Sequence, residues 1–131
     1  MKRNMDLVRC ILLQVEEAEN YIDIEHLFKK RDEVKDCEYT DQEIIYHVEL
    51  LITHNFLDGD IRRDINKTIT DSTIRGLTWE GQDFLDSVRE EKVWRKVRSV
   101  VADSVGSTTF DVIKQTGSLV AINLIKQGLG V

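Results

Sequence analysis

Apolar residues recur at helical spacing from the start of the chain. Leu7, Val8, Ile11, Leu12 and Val15 follow one another at steps of one, three, one and three, which lines them along one face of a helix. The pattern predicts a helix from Met5 to about Glu19, capped by Asn4, with Asp6 in the first turn where a carboxylate suits the helix dipole. Asn20 and Tyr21 break the period. A shorter helix is expected from about Ile24 to Arg31, capped by Asp23, with Ile24, Leu27 and Phe28 as its apolar face. A charged connector follows, Asp32 to Glu38. The third helix has the clearest start. Thr40-Asp41-Gln42-Glu43 is a capping box, and Tyr39 and Ile44 stand at the two positions of a hydrophobic staple. Ile44, Ile45, Val48, Leu51 and Ile52 are its expected buried face, and it should stop near Asn55.

The period then changes. Phe56 to Ile61 reads as a strand and Arg62 to Lys67 as a polar turn. Thr68 to Leu77, rich in Thr and Ile, reads as a second strand. Together they predict a β-hairpin with an irregular tip. Thr78 caps a fourth helix that begins at Trp79 and runs to about Ser104, with Phe84, Leu85, Val88, Val93, Trp94, Val97 and Val101 inward. Gly106 is a natural stop, and Ser107, Thr108 and Thr109 offer caps for a last helix from Phe110 to about Gln127. In that helix Phe110, Ile113, Gly117, Val120 and Leu124 alternate at three and four, and Leu119, Ile122 and Ile125 widen the apolar surface. Gly128 and Gly130 suggest a frayed end.

Three helices, a hairpin and a fourth helix is the order of a winged-helix domain. The expected fold is therefore α+β and winged-helix-like over residues 1–105, with an additional C-terminal helix over 106–131 for packing or dimerisation. Leu77-Thr78-Trp79-Glu80-Gly81-Gln82-Asp83-Phe84-Leu85 resembles the LTxxGxxxL signature at the last-strand-to-helix junction of many bacterial winged-helix regulators. A glycine inside a first helical turn costs about 1 kcal/mol against alanine. Close approach of Gly81 to another backbone would offset that cost.

A closer resemblance spans most of the chain. The opening Met1-Lys2-Arg3-Asn4-Met5-Asp6-Leu7-Val8-Arg9, the Tyr46-His47-Val48 step, the LTWEG-x-x-FLD segment from Leu77 to Asp86 and the Thr109-Phe110-Asp111-Val112-Ile113-Lys114 tail occur in order. They look like a family of small bacterial and phage proteins known only as a domain of unknown function. The resemblance implies a bacterial or phage origin and carries over no catalytic or binding residue.

Composition narrows the class. The 131 residues suit one domain, or one small domain with an appendage, and 41% hydrophobic with 32% charged residues is ordinary for a soluble globular chain. The basic start does not read as a signal peptide, because the apolar run from Cys10 to Leu13 is too short and Glu16 and Glu17 follow it. No run reaches transmembrane length, so a cytoplasmic protein with no membrane partner is expected. Cys10, in an apolar run, is expected as a buried free thiol and Cys37 as an exposed one.

Charge is uneven. Met1 to Glu91 holds 12 basic and 22 acidic residues, a net −10, whereas Lys92 to Val131 holds 6 basic and 2 acidic, a net +4. The third helix would be the recognition helix of a DNA-binding domain. Its polar positions are Asp41, Gln42, Glu43, Tyr46, His47, Glu49, Thr53 and His54, with no Lys or Arg, so phosphates would be repelled. Only Gln42 offers an adenine-reading side chain. Cations lie elsewhere: Lys2, Arg3 and Arg9 near the start, Arg62, Arg63 and Lys67 at the wing tip, and Lys92, Arg95, Lys96 and Arg98 on the fourth helix. Residues 92, 95 and 96 share one face, which is either a solvated surface or a phosphate- or partner-binding stripe.

No motif marks an enzyme. Glu43, His47 and His54 are spaced to lie along one side of a helix, but no HExxH or cysteine motif accompanies them, and a polar surface is the expected reading. There is no glycine-rich phosphate loop and no GxSxG. No catalytic residue, metal ligand or cofactor is assigned. The apolar C-terminal helix either folds back on helices one and four or pairs with a second copy; binding to a membrane surface is the minor alternative, for which Lys114 and Lys126 alone are a weak basic face. The expectation is a non-catalytic regulatory or adaptor module for a protein partner. The alternative is a DNA-binding transcriptional regulator, using the wing arginines and the fourth-helix cluster.

Overall fold

The computed structural model describes residues 1–33, 38–104, 114–120, 122 and 125. They form α1 (Met5–Glu17), α2 (Ile24–Glu33), α3 (Asp41–Thr53), β1 (Leu57–Arg63), β2 (Ile69–Leu77), α4 (Trp79–Val88), α5 (Glu91–Ser104) and a sixth helical stretch over 114–120. No described helix is long and apolar enough to cross a membrane. The architecture is α+β and winged-helix-like with a C-terminal helix. The chain divides into two compact units, Met1–Gln82 and Asp83–Val131, with the division inside α4. The boundary expected at 105/106 lies outside the described residues.

In the first unit α1 packs on α2, α3 and β2. Its expected face is the observed one: Leu7, Val8, Ile11, Leu12 and Val15 are all buried. The Asn4 side chain accepts from the amides of Asp6 and Leu7 at 3.0 and 3.2 Å. Asp23 caps α2 by accepting from His26 N–H at 2.9 Å, and Ile24 and Leu27 are buried while Phe28 is half-buried. At α3 both arms of the capping box close: Glu43 N–H donates to Thr40 Oγ1 at 3.1 Å, and Thr40 N–H to Glu43 Oε1 at 3.2 Å. Tyr39 and Ile44, the staple pair, line one small cleft with Leu7 and Leu27. Cys10 lines it too and is half-buried, not fully buried as expected.

The inner face of α3 departs from expectation. Ile44, Val48 and Leu51 are buried, Ile45 and Ile52 only partly, and the fourth buried residue is His47, fully enclosed. His47 had been expected on a polar surface. It sits within the Ile44–Val48–Leu51 stripe, so the helical period forces it inward whatever its polarity.

β1 and β2 form an antiparallel hairpin from Leu57↔Leu77 to Arg63↔Ile69, with irregularities at Asp58/Gly59 and Arg62/Arg63. Arg62 and Arg63 thus belong to β1; the turn proper is Asp64 to Thr68. Asp64 Oδ1 accepts from the amides of Asn66 and Thr68 at 2.9 and 3.0 Å, and Lys67 takes a left-handed φ of 64°. Leu57 and Ile74 carry the sheet into the core, while Leu77 is half-buried. Ile22, between α1 and α2, adds a one-residue third strand. It exchanges both backbone hydrogen bonds with Ile74, at 3.1 and 2.7 Å.

The β2–α4 junction explains Gly81. Thr78 Oγ1 accepts from Gly81 N–H at 3.0 Å and donates to the Asn55 carbonyl at 2.5 Å. A Cβ on Gly81 would lie 2.0 Å from the Phe56 carbonyl oxygen. The first turn of α4 therefore rests against the chain leaving α3, and only a residue without a side chain fits.

The second unit corrects one expected element. The helix expected from Trp79 to Ser104 is two helices, interrupted at Arg89 and Glu90. No Gly or Pro breaks it. Phe84, Leu85 and Val88 are buried on α4, and Val93, Trp94 and Val97 on α5. The five-residue step from Val88 to Val93 would turn a continuous helix about 140° away from its own buried face, and the charged run Arg89 to Lys92 fills the gap. The 114–120 helix packs by Gly117, where a Cβ would lie 2.4 Å from the Ser87 carbonyl oxygen, and by an Asp83–Lys114 ion pair at 2.9 Å. Cys37, Gly106, Ser107, Thr108, Thr109, Phe110, Ile113, Leu124, Lys126, Gly128 and Gly130, which carry expectations above, lie outside the described residues.

Candidate interaction site

The hairpin arginines are mostly spent within the fold. Arg63 pairs with Glu49 of α3 and donates to the Lys67 carbonyl at 2.6 Å. Arg75 on β2, which sequence reasoning passed over, reaches across to Asp58 at 3.0 Å and Asp60 at 2.9 Å. Hydrogen bonds to Asp58 and then Asp60 hold its guanidinium pKa above the usual value, outweighing the lowering effect of burial. Only the register that sets β2 beside β1 brings these three residues together. Arg31 is held likewise, first by Asp41 and also by Asp32, and stacks 5.5 Å from the Phe28 ring centre. Arg62 and Lys67 project from the hairpin end, with Ile65 between them 97% exposed.

Lys92, Arg95 and Lys96 do lie together on the outward face of α5, opposite Val93, Trp94 and Val97. Arg95 is paired with Glu91 one turn earlier at 3.3 Å. The candidate contact cations thus fall into two sets, Arg62, Arg63 and Lys67 on the first compact unit and Lys92, Arg95 and Lys96 on the second.

A third feature was not anticipated. Between the C-terminal end of α1 and the outer edge of β2 lies a groove of about 630 Å³, bordered by Glu16, Glu19, Tyr21, Arg75, Gly76 and Gln82. Gln82 donates to Glu16 at 2.7 Å. Tyr21 is 70% exposed. The sequence signal was faint: an aromatic residue where the α1 period ends.

No group of three or more His, Cys, Asp or Glu side chains is placed to hold a metal ion among the described residues. Both His47 ring nitrogens are occupied by backbone groups, Asn4 N–H and the Glu43 carbonyl.

No solved structure matches the chain. It is 27% identical over 128 residues to an uncharacterized protein of Haemophilus influenzae, a match that covers 95% of this chain and 99% of that one. The motifs at the start of α1, in α3 and at the β2–α4 junction lie within residues 2–108, which match the model of a family described as "Hypothetical protein (DUF2513)", and the chain belongs to that family.

Proposed function

We propose that the protein is a non-catalytic regulatory or adaptor module that binds a protein partner in the cytoplasm. The observation that carries this reading is the Arg63–Glu49 pair. A winged-helix protein that reads DNA offers its third helix and its wing to the duplex. Here Asp41, Gln42 and Glu49 lie on the outward part of α3, and the wing cation nearest them is already neutralised by Glu49. Phosphates would meet carboxylates there, and the two cations beside them, Arg31 and Arg63, are already committed to Asp41 and Glu49.

The test is a titration of mixed-sequence duplex DNA by fluorescence anisotropy at low and moderate salt, beside calorimetry with candidate partners cross-linked in host cells and then purified. Saturable, stoichiometric binding to a purified partner with no DNA binding supports the reading. Micromolar DNA binding that weakens steeply with salt overturns it.

The second reading, a DNA-binding regulator, draws on the basic stripe of α5 and on the exposed Ile65 between Arg62 and Lys67. Minor-groove proteins use an apolar wedge with flanking cations in that way. Under either reading we assign residues 1–105 to the winged-helix-like domain and 106–131 to a self-associating helix. Leu119, Ile122 and Ile125 support this, as they remain exposed while Gly117 is buried.

A further inference from the structure

We infer that the groove between α1 and the outer edge of β2 is a docking site for an extended, Lys- or Arg-bearing segment of a protein partner. This rests on the protein-partner reading above and adds a place and a chemistry to it.

Size comes first. A groove of about 630 Å³ falls among the volumes of specific binding sites and exceeds one side chain. Its backbone wall is next. Among the described residues the outer edge of β2 carries one bridge, Ile22 to Ile74, and the chain before Ile22 bends at Glu19 and Asn20. The wall beyond that bridge is Gly76, where a Cβ would meet nothing within 4 Å and where φ is +157°, a conformation that L residues rarely adopt. Glycine within a strand marks a bulge or a place where a ligand or another backbone comes close. Gly76 stands at the irregularity opposite Asp58 and Gly59, and the space beside it is open.

Charge selects the occupant. The Asp, Glu, Lys and Arg side chains bordering the groove are Glu16, Glu19 and Arg75. Arg75 is committed to Asp58 and Asp60, so its charge is balanced outside the groove. Glu16 receives the Gln82 amide, and Glu19 is exposed. The exposed Glu19 carboxylate, on a body that carries a net −10 over Met1 to Glu91, disfavours phosphates and acidic peptides and favours a cation. The exposed Tyr21 ring supplies a face on which an ammonium or guanidinium can rest. Aromatic residues of this kind anchor protein interfaces.

The probe is a fluorescein-labelled nonapeptide of alternating Val and Lys, with the Val/Glu peptide as control, titrated into the full chain. Amide NMR shifts map the contact. Shifts should gather at residues 16–22 and 74–77. Glu19→Lys and Tyr21→Ala, both at exposed positions, should each weaken binding about tenfold, while Lys67→Glu and Lys96→Glu leave the map in place. Shifts that gather on α3 instead, or no shifts at millimolar peptide, overturn the groove but leave a protein partner possible elsewhere. Salt-sensitive duplex DNA binding under the same conditions defeats the underlying reading. Self-association of the chain that Glu19→Lys abolishes gives the groove to a second copy and overturns the partner assigned here.

Discussion

The Nε2 of His47 accepts the backbone N–H of Asn4 at 2.8 Å, tying the start of α1 to the middle of α3. Its Nδ1 stands 2.7 Å from the Glu43 carbonyl oxygen and must donate to it. Only the neutral ring protonated at Nδ1 satisfies both partners. Asn4 is used three ways: its N–H goes to His47, its carbonyl accepts from Val8 at 3.1 Å, and its side-chain oxygen caps Asp6 and Leu7. His47→Phe keeps the bulk of the ring and orphans a donor and an acceptor. It should destabilise the fold by about 2 kcal/mol in urea unfolding at neutral pH and remove hydrogen-exchange protection at the Asn4 amide. Asn4→Ala keeps the N–H and loses only the cap, at a cost of about 1 kcal/mol. Equal effects from the two variants would contradict the assigned role.

Gly81→Ala should run against helix propensity. On an exposed helix it would gain about 1 kcal/mol. Here the new methyl would sit 2.0 Å from the Phe56 carbonyl oxygen, a backbone atom that cannot swing aside. A net loss of about 2–3 kcal/mol is expected, read as a lower urea midpoint with an unchanged slope. A neutral or stabilising alanine would show that α4 does not rest on that strand entry.

The break between α4 and α5 can be tested by capping. Trp94 N–H donates to the Glu90 carbonyl at 2.9 Å, which makes Glu90 the residue that caps α5. Glutamate is a poor cap and serine a good one. Glu90→Ser should therefore stabilise the protein by about 0.5–1 kcal/mol. In one continuous helix the same change would cost a few tenths of a kcal/mol. The sign of the change separates the two structures.

These cases show which parts of the molecule were legible in the sequence. Local signals were: the α1 stripe, the Asn4 and Thr78 caps and the Thr40–Glu43 box each depend on residues a few positions apart, and a glycine inside a helical turn signalled a close backbone approach, although its partner, Phe56, lies far along the chain. The winged-helix-like order followed from them. His47 was missed because an apolar-only reading of α3 skips a histidine, although its place in the stripe was visible. The α4–α5 break was legible in principle as the five-residue step from Val88 to Val93. Ile22 was not, since a one-residue strand has no period. Nor was the fate of the cations. That Arg63 meets Glu49, and Arg75 meets Asp58 and Asp60, depends on strand register and helix docking, and those pairings decide which charges are left for a partner.

The two tryptophans report on the two compact units. Trp79 is 83% exposed at the start of α4 and Trp94 is 3% exposed on α5. The Trp94→Phe variant, which keeps Trp79, should emit at long wavelength and be quenched readily by iodide. The Trp79→Phe variant should emit at shorter wavelength and resist quenching until the fold is lost. Trp79→Phe should also leave stability within about 0.5 kcal/mol, as expected for an exposed side chain away from the core. Ready quenching of Trp94 in the folded protein would mean that α5 does not bury its Val93–Trp94–Val97 face.

The last prediction concerns the helical surface beyond α5. Gly117 and Lys114 meet Ser87 and Asp83, so one side of the 114–120 helix is engaged with α4. Leu119, Ile122 and Ile125 remain 64%, 48% and 61% exposed, at steps of three along the chain. Three large aliphatic side chains on one stretch form a patch of the kind that marks an interaction site. A symmetric pair of such helices would cover both copies at once, because in a two-fold contact the same patch serves each side. Sedimentation equilibrium should then show a dimer whose dissociation is driven by Leu119→Lys with Ile125→Lys. The Gly117 contact and the Lys114–Asp83 pair are untouched by these changes, so the unfolding midpoint of the dissociated chain should stay close to that of the wild-type monomer. A wild-type chain that is monomeric at every concentration reached would remove the dimer and leave this face to a different partner.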